Sequence, residues 1–344
     1  LQAQDGALPL QESSVLRLDE KLSRIRHGAY RAGDFILGDA RDGDLARAML
    51  AVGHHPGQGG APGRPRSRAE FLATVQQMVE QDVIDLMLTS LSSLEVVQGR
   101  GLYDTSRVTP AIRANDNTDH WQFRGARYDR EPPRPFRSSS LSEARRLGCD
   151  LGLYGLSFSN DRDADLLALR HYAEFREDAR RHRFRHALEV GNPGPASGLA
   201  PDQVAGFVND AVIRALAGLT SRERPEFLRL TYNGPAALEE LASFDPSLVL
   251  GVQGGAAGTT RDALELVAQT ERFGGRLALL GRRIAQAEDP RALVTLLRAV
   301  ADGAVPSAEA VRAYHGALQG RGLTPLRPLD MDSQVTDPVL RAAA

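Results

Sequence analysis

Residues 226–235 read EFLRLTYNGP, residues 247–260 read SLVLGVQGGAAGTT, and residues 276–290 read RLALLGRRIAQAEDP. Each stretch is a short apolar run that ends in glycine or polar residues, and each is followed by a segment with helical spacing. Three successive strand–loop–helix units are therefore expected, with polar chemistry gathered beyond the C-terminal end of each strand. In a parallel barrel that end is the functional face, and the loops after the seventh and eighth strands commonly bind phosphate. Gly254, Gly255 and Gly258 allow backbone N–H groups to approach an anion, and Thr259 or Thr260 is placed to cap the next helix. Gln253 precedes this loop. Gly281-Arg282 supplies a guanidinium on a chain segment that can pass close to a ligand.

Working outward, the same alternation recurs. Strands are expected at 34–39, 83–89, 108–113, 150–156 and 186–190, then from about 227, 248 and 276, with helices between them. Eight such units favour a closed parallel sheet, an α/β fold of the (β/α)8 barrel type. An open doubly wound sheet is disfavoured, because no Gly-x-Gly-x-x-Gly turn follows the first strand. Three regions result: an arm and helix over 1–30, the barrel over 31–303, and an extra C-terminal helix with a proline-containing tail over 304–344. Residues 1–14 read as a loose arm, and Leu16, Leu18, Leu22 and Ile25 as the apolar side of the N-terminal helix. Ser67-x-x-Glu70 and Ser140-x-x-Glu143 have capping-box spacing. In the helix expected over 163–182, Leu166, Leu167, Leu169 and Tyr172 are expected to face the core.

The last three units resemble those of the class I aldolase superfamily, which includes the deoxyribose-phosphate, tagatose-bisphosphate and archaeal fructose-bisphosphate aldolase types. Gly254-Gly255, Gly281-Arg282-Arg283-Ile284, Gln286 and Asp289-Pro290 carry the resemblance; the rest of the chain matches only as a pattern of units. The resemblance implies a cleavage or joining of carbon–carbon bonds in a small phosphorylated or acidic carbohydrate. It also implies a Schiff-base lysine on the sixth strand, where this chain has Arg229. Arginine stays protonated and forms no imine. The acidic residue that the family carries at the end of strand one is matched by Asp39, and its strand-five glutamate by Glu189. Asp39 or Asp42 equally suits a helix cap. Glu189 equally suits a structural partner for Arg229, since a buried carboxylate needs one.

A polar run follows the third strand: Arg113, Asn115, Asp116, Asn117 and Asp119, beside the single tryptophan. Arg113 suits a carboxylate or phosphate, and Asp116 and Asp119 suit sugar hydroxyls or a divalent cation. The alternative is a hydrogen-bonded turn, which Asn and Asp also favour. The proline-rich stretch over 123–139 is too long for an ordinary connection and is a candidate lid or subunit contact. His54-His55 lies in a glycine- and proline-rich loop, as a metal-ligand pair or as solvated side chains.

Composition bounds the rest. The chain has 344 residues, is 42% hydrophobic and has a net charge of −2, which is ample for a large core and unlike a binder of nucleic-acid backbones. No run reaches the ~20 apolar residues of a membrane span, so no membrane partner and a cytoplasmic location are expected. The single cysteine, Cys149, excludes an internal disulfide framework. Lys21 is the only lysine among the 42 basic residues, and it lies ahead of the first strand. Without an imine, the carbanion of an aldol cleavage needs another stabiliser; a divalent metal on Asp116, Asp119, Glu189 or a histidine is one candidate. Three functions remain open: an aldolase-like lyase, an isomerase or epimerase of sugar phosphates, and a non-catalytic barrel that binds them. A homo-oligomer is expected in each case.

Overall fold

A computed structural model describes residues 16–56, 62–255 and 258–343. The expected N-terminal arm, the centre of the His54-His55 loop, and Ala256-Ala257 lie outside the described residues. Eight strands form one closed, all-parallel barrel: β1 Ile36–Arg41, β2 Leu86–Thr89, β3 Thr109–Arg113, β4 Leu151–Leu156, β5 Arg185–Val190, β6 Leu228–Thr231, β7 Leu250–Gln253 and β8 Leu277–Leu280. The barrel closes where β1 pairs with β8 (Ile36 opposite Leu277, Asp39 opposite Leu280) and with β2 (Gly38 opposite Leu86). The expected (β/α)8 architecture is what is found.

Alternation along each strand sorts side chains between two cores. Ile36, Leu86, Leu88, Ala111, Leu151, Leu153, Ala187, Phe227, Val249, Leu277 and Leu279 fill the barrel interior. Phe35, Leu37, Ile112, Tyr154, Leu188 and Val252 face the helices outside. Gly251 permits this packing, because a Cβ there would meet the Leu228 carbonyl oxygen at 2.9 Å.

The foot of the barrel is sealed by the helix Arg17–Arg26, which ends at Gly28 with φ +69°. Leu18 and Leu22 insert into the interior core, each burial contributing roughly 1.5–3 kcal/mol. Lys21 is buried beside them, donating to the Phe35 carbonyl (2.9 Å) and to Asp85 (3.0 Å). The sole lysine is thus held at the end opposite the functional face.

The first expected capping box forms in full, and the second only by half, the Glu143 carboxylate accepting from Arg146 instead. Ser67 and Glu70 satisfy each other's backbone donors at the start of Arg68–Glu80, and the Ser140 side chain accepts from Glu143 N. Thr259 caps Thr260–Arg272, with Asp262 completing the box. The helix Arg162–Arg181 departs from expectation: Leu166 and Leu167 are 46% and 38% exposed. Its buried stripe is instead Ala168, Tyr172, Phe175 and Ala179, at the 3–4-residue spacing of one helix face.

The C-terminal region is more ordered than a tail. Helix Ser307–Gly320 packs on Thr260–Arg272 and Pro290–Ala301. Beyond it, the short helices Leu329–Asp332 and Pro338–Arg341 return to the barrel, with Leu340 buried in the outer core. No helix among the described residues is long and apolar enough to cross a membrane.

Candidate functional site

The interior positions nearest the C-terminal ends of the strands are polar. Arg113 ends β3, Glu189 lies on β5 and Arg229 on β6, all turned inward by the alternation that places Ala111, Ala187 and Phe227 in the core below them. They form one ionic chain across the barrel. Arg113 donates from Nε to Asp42 Oδ2 (2.8 Å), and from Nη1 and Nη2 to the two oxygens of Glu189 (3.2 Å each). Arg229 donates from Nη1 to Glu189 Oε2, and from Nη2 to the Leu279 carbonyl (3.1 Å). Gly155 makes room for this: a Cβ there would lie 3.2 Å from Arg113 Nη1.

Burial alone would push the Glu189 carboxyl up, but Arg113 and Arg229 beside it hold it well below the usual carboxylate range. Glu189 is therefore a fixed anion and a weak base. Its pairing with Arg229 is one of the two roles its sequence position suggested.

Above this floor opens a cavity of about 490 Å³. Arg113, Asp116, Asp119, Glu189, Arg229, Gln253, Gly254, Gly281 and Arg282 all line it, so most of the expected site residues converge. Asp116 accepts from Asn117 N (2.8 Å) and from Trp121 Nε1 (3.0 Å), and burial raises its pKa above the ordinary aspartate value. Asp119 lies 3.7 Å from His120 Nε2. Gln253 donates to Thr231 Oγ1 at 2.7 Å. Gly254 and Gly281 are needed for close approach: a Cβ at Gly254 would fall 2.7 Å from Leu280 Cδ1's partner methyl, Cδ2, and one at Gly281 would fall 2.6 Å from the Ala40 carbonyl oxygen.

Three expected residues are placed elsewhere. Asp39 shares the outward parity of Phe35 and Leu37, is fully buried between sheet and helices, and accepts from Arg41 Nε at 2.9 and 2.8 Å. It does not line the cavity, and neither Asp39 nor Asp42 caps a helix through its side chain. Asn115 spends both ends of its amide on the Gly155 backbone (2.8 and 2.7 Å), stitching β3 to β4. Gly255 is outside the cavity lining, and a Cβ on it would meet nothing within 4 Å.

The sequence reading missed Arg47, Asp42 in its role as partner of Arg113, His120 and Glu131, all of which line the cavity. Arg47 comes from the short helix Gly43–Arg47 after β1, and nothing in its local pattern marks it out. Arg282 and Arg47 face one another as like charges: burial, then Arg47 and Arg229, lower the Arg282 pKa. Among the described residues neither has a carboxylate within ion-pair distance; Arg47 donates only to the Leu50 carbonyl (2.7 Å). Two guanidinium groups in one cavity, neither paired with a carboxylate among the described residues, have the chemistry to hold an anion.

The long loop after β3 stands at the rim. Trp121 packs edge-on against Tyr128 and Phe136, and Glu131, Pro132 and Pro133 line the cavity. Gln122 N donates to the Ala46 carbonyl (2.7 Å), tying the loop to the segment after β1.

The donor set does not suit a resident metal. Among the described residues no group of three His, Cys, Asp or Glu has metal-binding geometry. Both Glu189 oxygens are committed to arginines, and His55 bonds Glu70 (3.1 Å).

Fold and cavity together define a (β/α)8 barrel whose mouth is lined by both basic and acidic side chains. No protein-family model matches the chain, and no curated protein matches it. Solved structures do. An archaeal fructose 1,6-bisphosphate aldolase aligns with a TM-score of 0.60 at 15% identity, over 83% of this chain and 99% of that one. A fructose-bisphosphate aldolase from Slackia heliotrinireducens aligns with a TM-score of 0.61 at 13% identity, over 92% and 96%. A third, an archaeal fructose-1,6-bisphosphate aldolase with its catalytic lysine covalently bound to the carbinolamine intermediate of the substrate, aligns with a TM-score of 0.60 at 15% identity, over 83% and 99%. At such identities the likeness is one of fold.

Proposed function

We propose that this chain is an aldolase-like carbon–carbon lyase acting on a small phosphorylated carbohydrate without a Schiff base. The observation that carries the reading is the uncompensated Arg47–Arg282 pair beside the neutralised Arg113–Glu189–Arg229 chain. A phosphate dianion suits the first, and the carbonyl and hydroxyl groups of a sugar suit the second. The aldolase descriptions of structures with the same fold are consistent with it.

In cleavage, a base takes the proton of the hydroxyl β to the carbonyl, the Cα–Cβ bond breaks, and the electron pair passes to the carbonyl oxygen as an enolate. Asp116 is the group suited to that proton, since burial raises its pKa and makes it a better base than Glu189. Guanidinium N–H groups of Arg229 or Arg113 face the developing negative charge, a stabilisation that needs no covalent attachment. The proton then returns to Cα.

A second reading is a barrel that binds sugar phosphates without turnover, and the pinned Glu189 favours it. Incubation with phosphorylated ketoses and aldoses, followed by detection of the cleaved aldehydes, separates the two. Arg282→Ala is expected to weaken phosphorylated ligands by roughly 1.5–3 kcal/mol, the size of a charge-assisted hydrogen bond. Affinity unchanged for every phosphorylated ligand that binds the wild type rules out the site.

A further inference from the structure

The helix after β7, the element expected to present its N-terminus to phosphate, already has acidic partners there. Thr259 N donates to Asp262 (2.8 Å), and Thr260 N donates to Asp332 Oδ1 (2.8 Å), a residue 72 positions further along the chain. Thr259 Oγ1 donates to the Gln334 carbonyl (2.6 Å). Asp262 accepts from Thr336 N (2.7 Å), Thr336 Oγ1 (2.5 Å) and Asp337 N (3.2 Å). His315 Nε2 lies 3.0 Å from the other Asp332 oxygen.

We propose that the C-terminal segment 329–341 is a strap that holds the end of the β7 loop in the shape that receives the anion, with Asp332 and Thr336 as positioning residues. The proposal rests on the sugar-phosphate reading of this mouth. Its physical basis lies in the described residues at the two ends of the loop. Gly254, which lines the cavity, and Gly258, at φ +110°, bring no side chains, and a Cβ on Gly258 would overlap the Asp262 carboxylate. Order is imposed from outside instead. On one side the strap fixes Thr259, Thr260 and Asp262. On the other, Arg283 donates to the carbonyls of Gly258 (2.7 Å) and Thr259 (2.8 Å). Arg283 directly follows Arg282, so the loop end and the anion-holding arginine move as one unit. The positive end of the helix dipole is satisfied by Asp262 and Asp332. The ligand is thereby left to Arg282, Arg47 and the backbone near Gly254.

The test uses the full chain and inorganic phosphate, with binding read by calorimetry and loop order by hydrogen exchange at residues 258–264. Asp332→Ala is expected to raise exchange there and weaken phosphate roughly tenfold, the scale of one lost charge-assisted hydrogen bond. Asp332→Asn keeps an acceptor for the Thr260 N–H and should restore most of the affinity. Thr336→Val is the second variant should Asp332→Ala fold poorly; it should weaken phosphate and raise kcat-independent KM in the same direction. Unaltered affinity in Asp332→Ala or Thr336→Val, with exchange raised, overturns the proposal. So does tighter binding in Asp332→Ala, because Asp332 would then be competing with the ligand. A wild type that binds no phosphate sinks the strap and the sugar-phosphate reading together, whereas failure of the variants alone sinks only the strap.

Discussion

At the scale of single residues, the decisive one is Glu189, caught between Arg113 and Arg229. Replacing it by glutamine leaves Arg229 buried without a counter-charge and Arg113 with Asp42 alone, a change expected to cost about 3–5 kcal/mol. Its folded pKa is depressed, so its contribution is complete above the unfolded glutamate value of about 4.3 and is lost only as pH falls through the folded one. Urea titrations should therefore show the wild-type advantage over Glu189→Gln undiminished from neutral pH down to about pH 4. An advantage that fades already near pH 6 contradicts the pairing. Asp116 makes the opposite prediction. Its pKa is raised by burial, so the acid limb of kcat/KM should lie above the ordinary aspartate value of about 3.9. Asp116→Asn should lower kcat by roughly 10²–10⁴ while leaving phosphate affinity intact. Retention of turnover in that variant removes Asp116 from the reaction.

At the scale of elements, what could be read in advance followed from what each signal measures. Apolar runs punctuated by glycine report strands directly, and β6, β7 and β8 fell where those runs are. Capping spacing is a local contact, so Ser67-Glu70 and Ser140-Glu143 announced their helices. Facing is harder to read. The first strand is buried on both sides, so no polar alternation reveals that Asp39 points outward, and only the packing of Phe35 and Leu37 against helices shows it. Leu166 and Leu167 misled for a related reason, since several leucines in a long amphipathic helix leave more than one stripe to choose from. The two ends of the barrel are also separable by experiment. Leu22 sits at the foot, so Leu22→Ala should cost about 2–5 kcal/mol in stability. Its phosphate affinity should match the wild type; a parallel loss of binding would mean the foot and the mouth are coupled.

For the whole molecule, the barrel was legible from the count and order of its units, and most of the expected site residues, lying just beyond strand ends, do line the cavity. Arg47 was not legible, because nothing in the short helix after β1 marks it out, and neither was the 329–341 segment, which meets Thr259 and Thr260 only by tertiary return. The placement of Lys21 gives a prediction at this scale. Borohydride added with a cleavable sugar phosphate should leave the mass of the chain unchanged, since its one lysine is sealed under the barrel and bonded to Asp85. A reduced adduct on Lys21 would restore imine chemistry and overturn the proposed mechanism.

That sealed lysine also sets how the protein meets its surroundings. Every other long-chain cation is a guanidinium, which keeps its charge to beyond about pH 12. The surface therefore does not shed positive charge in mild alkali as a lysine-rich surface does near pH 10. Acylating reagents, amine-directed cross-linkers and lysine-conjugating enzymes find no exposed side-chain amine on the barrel to attack.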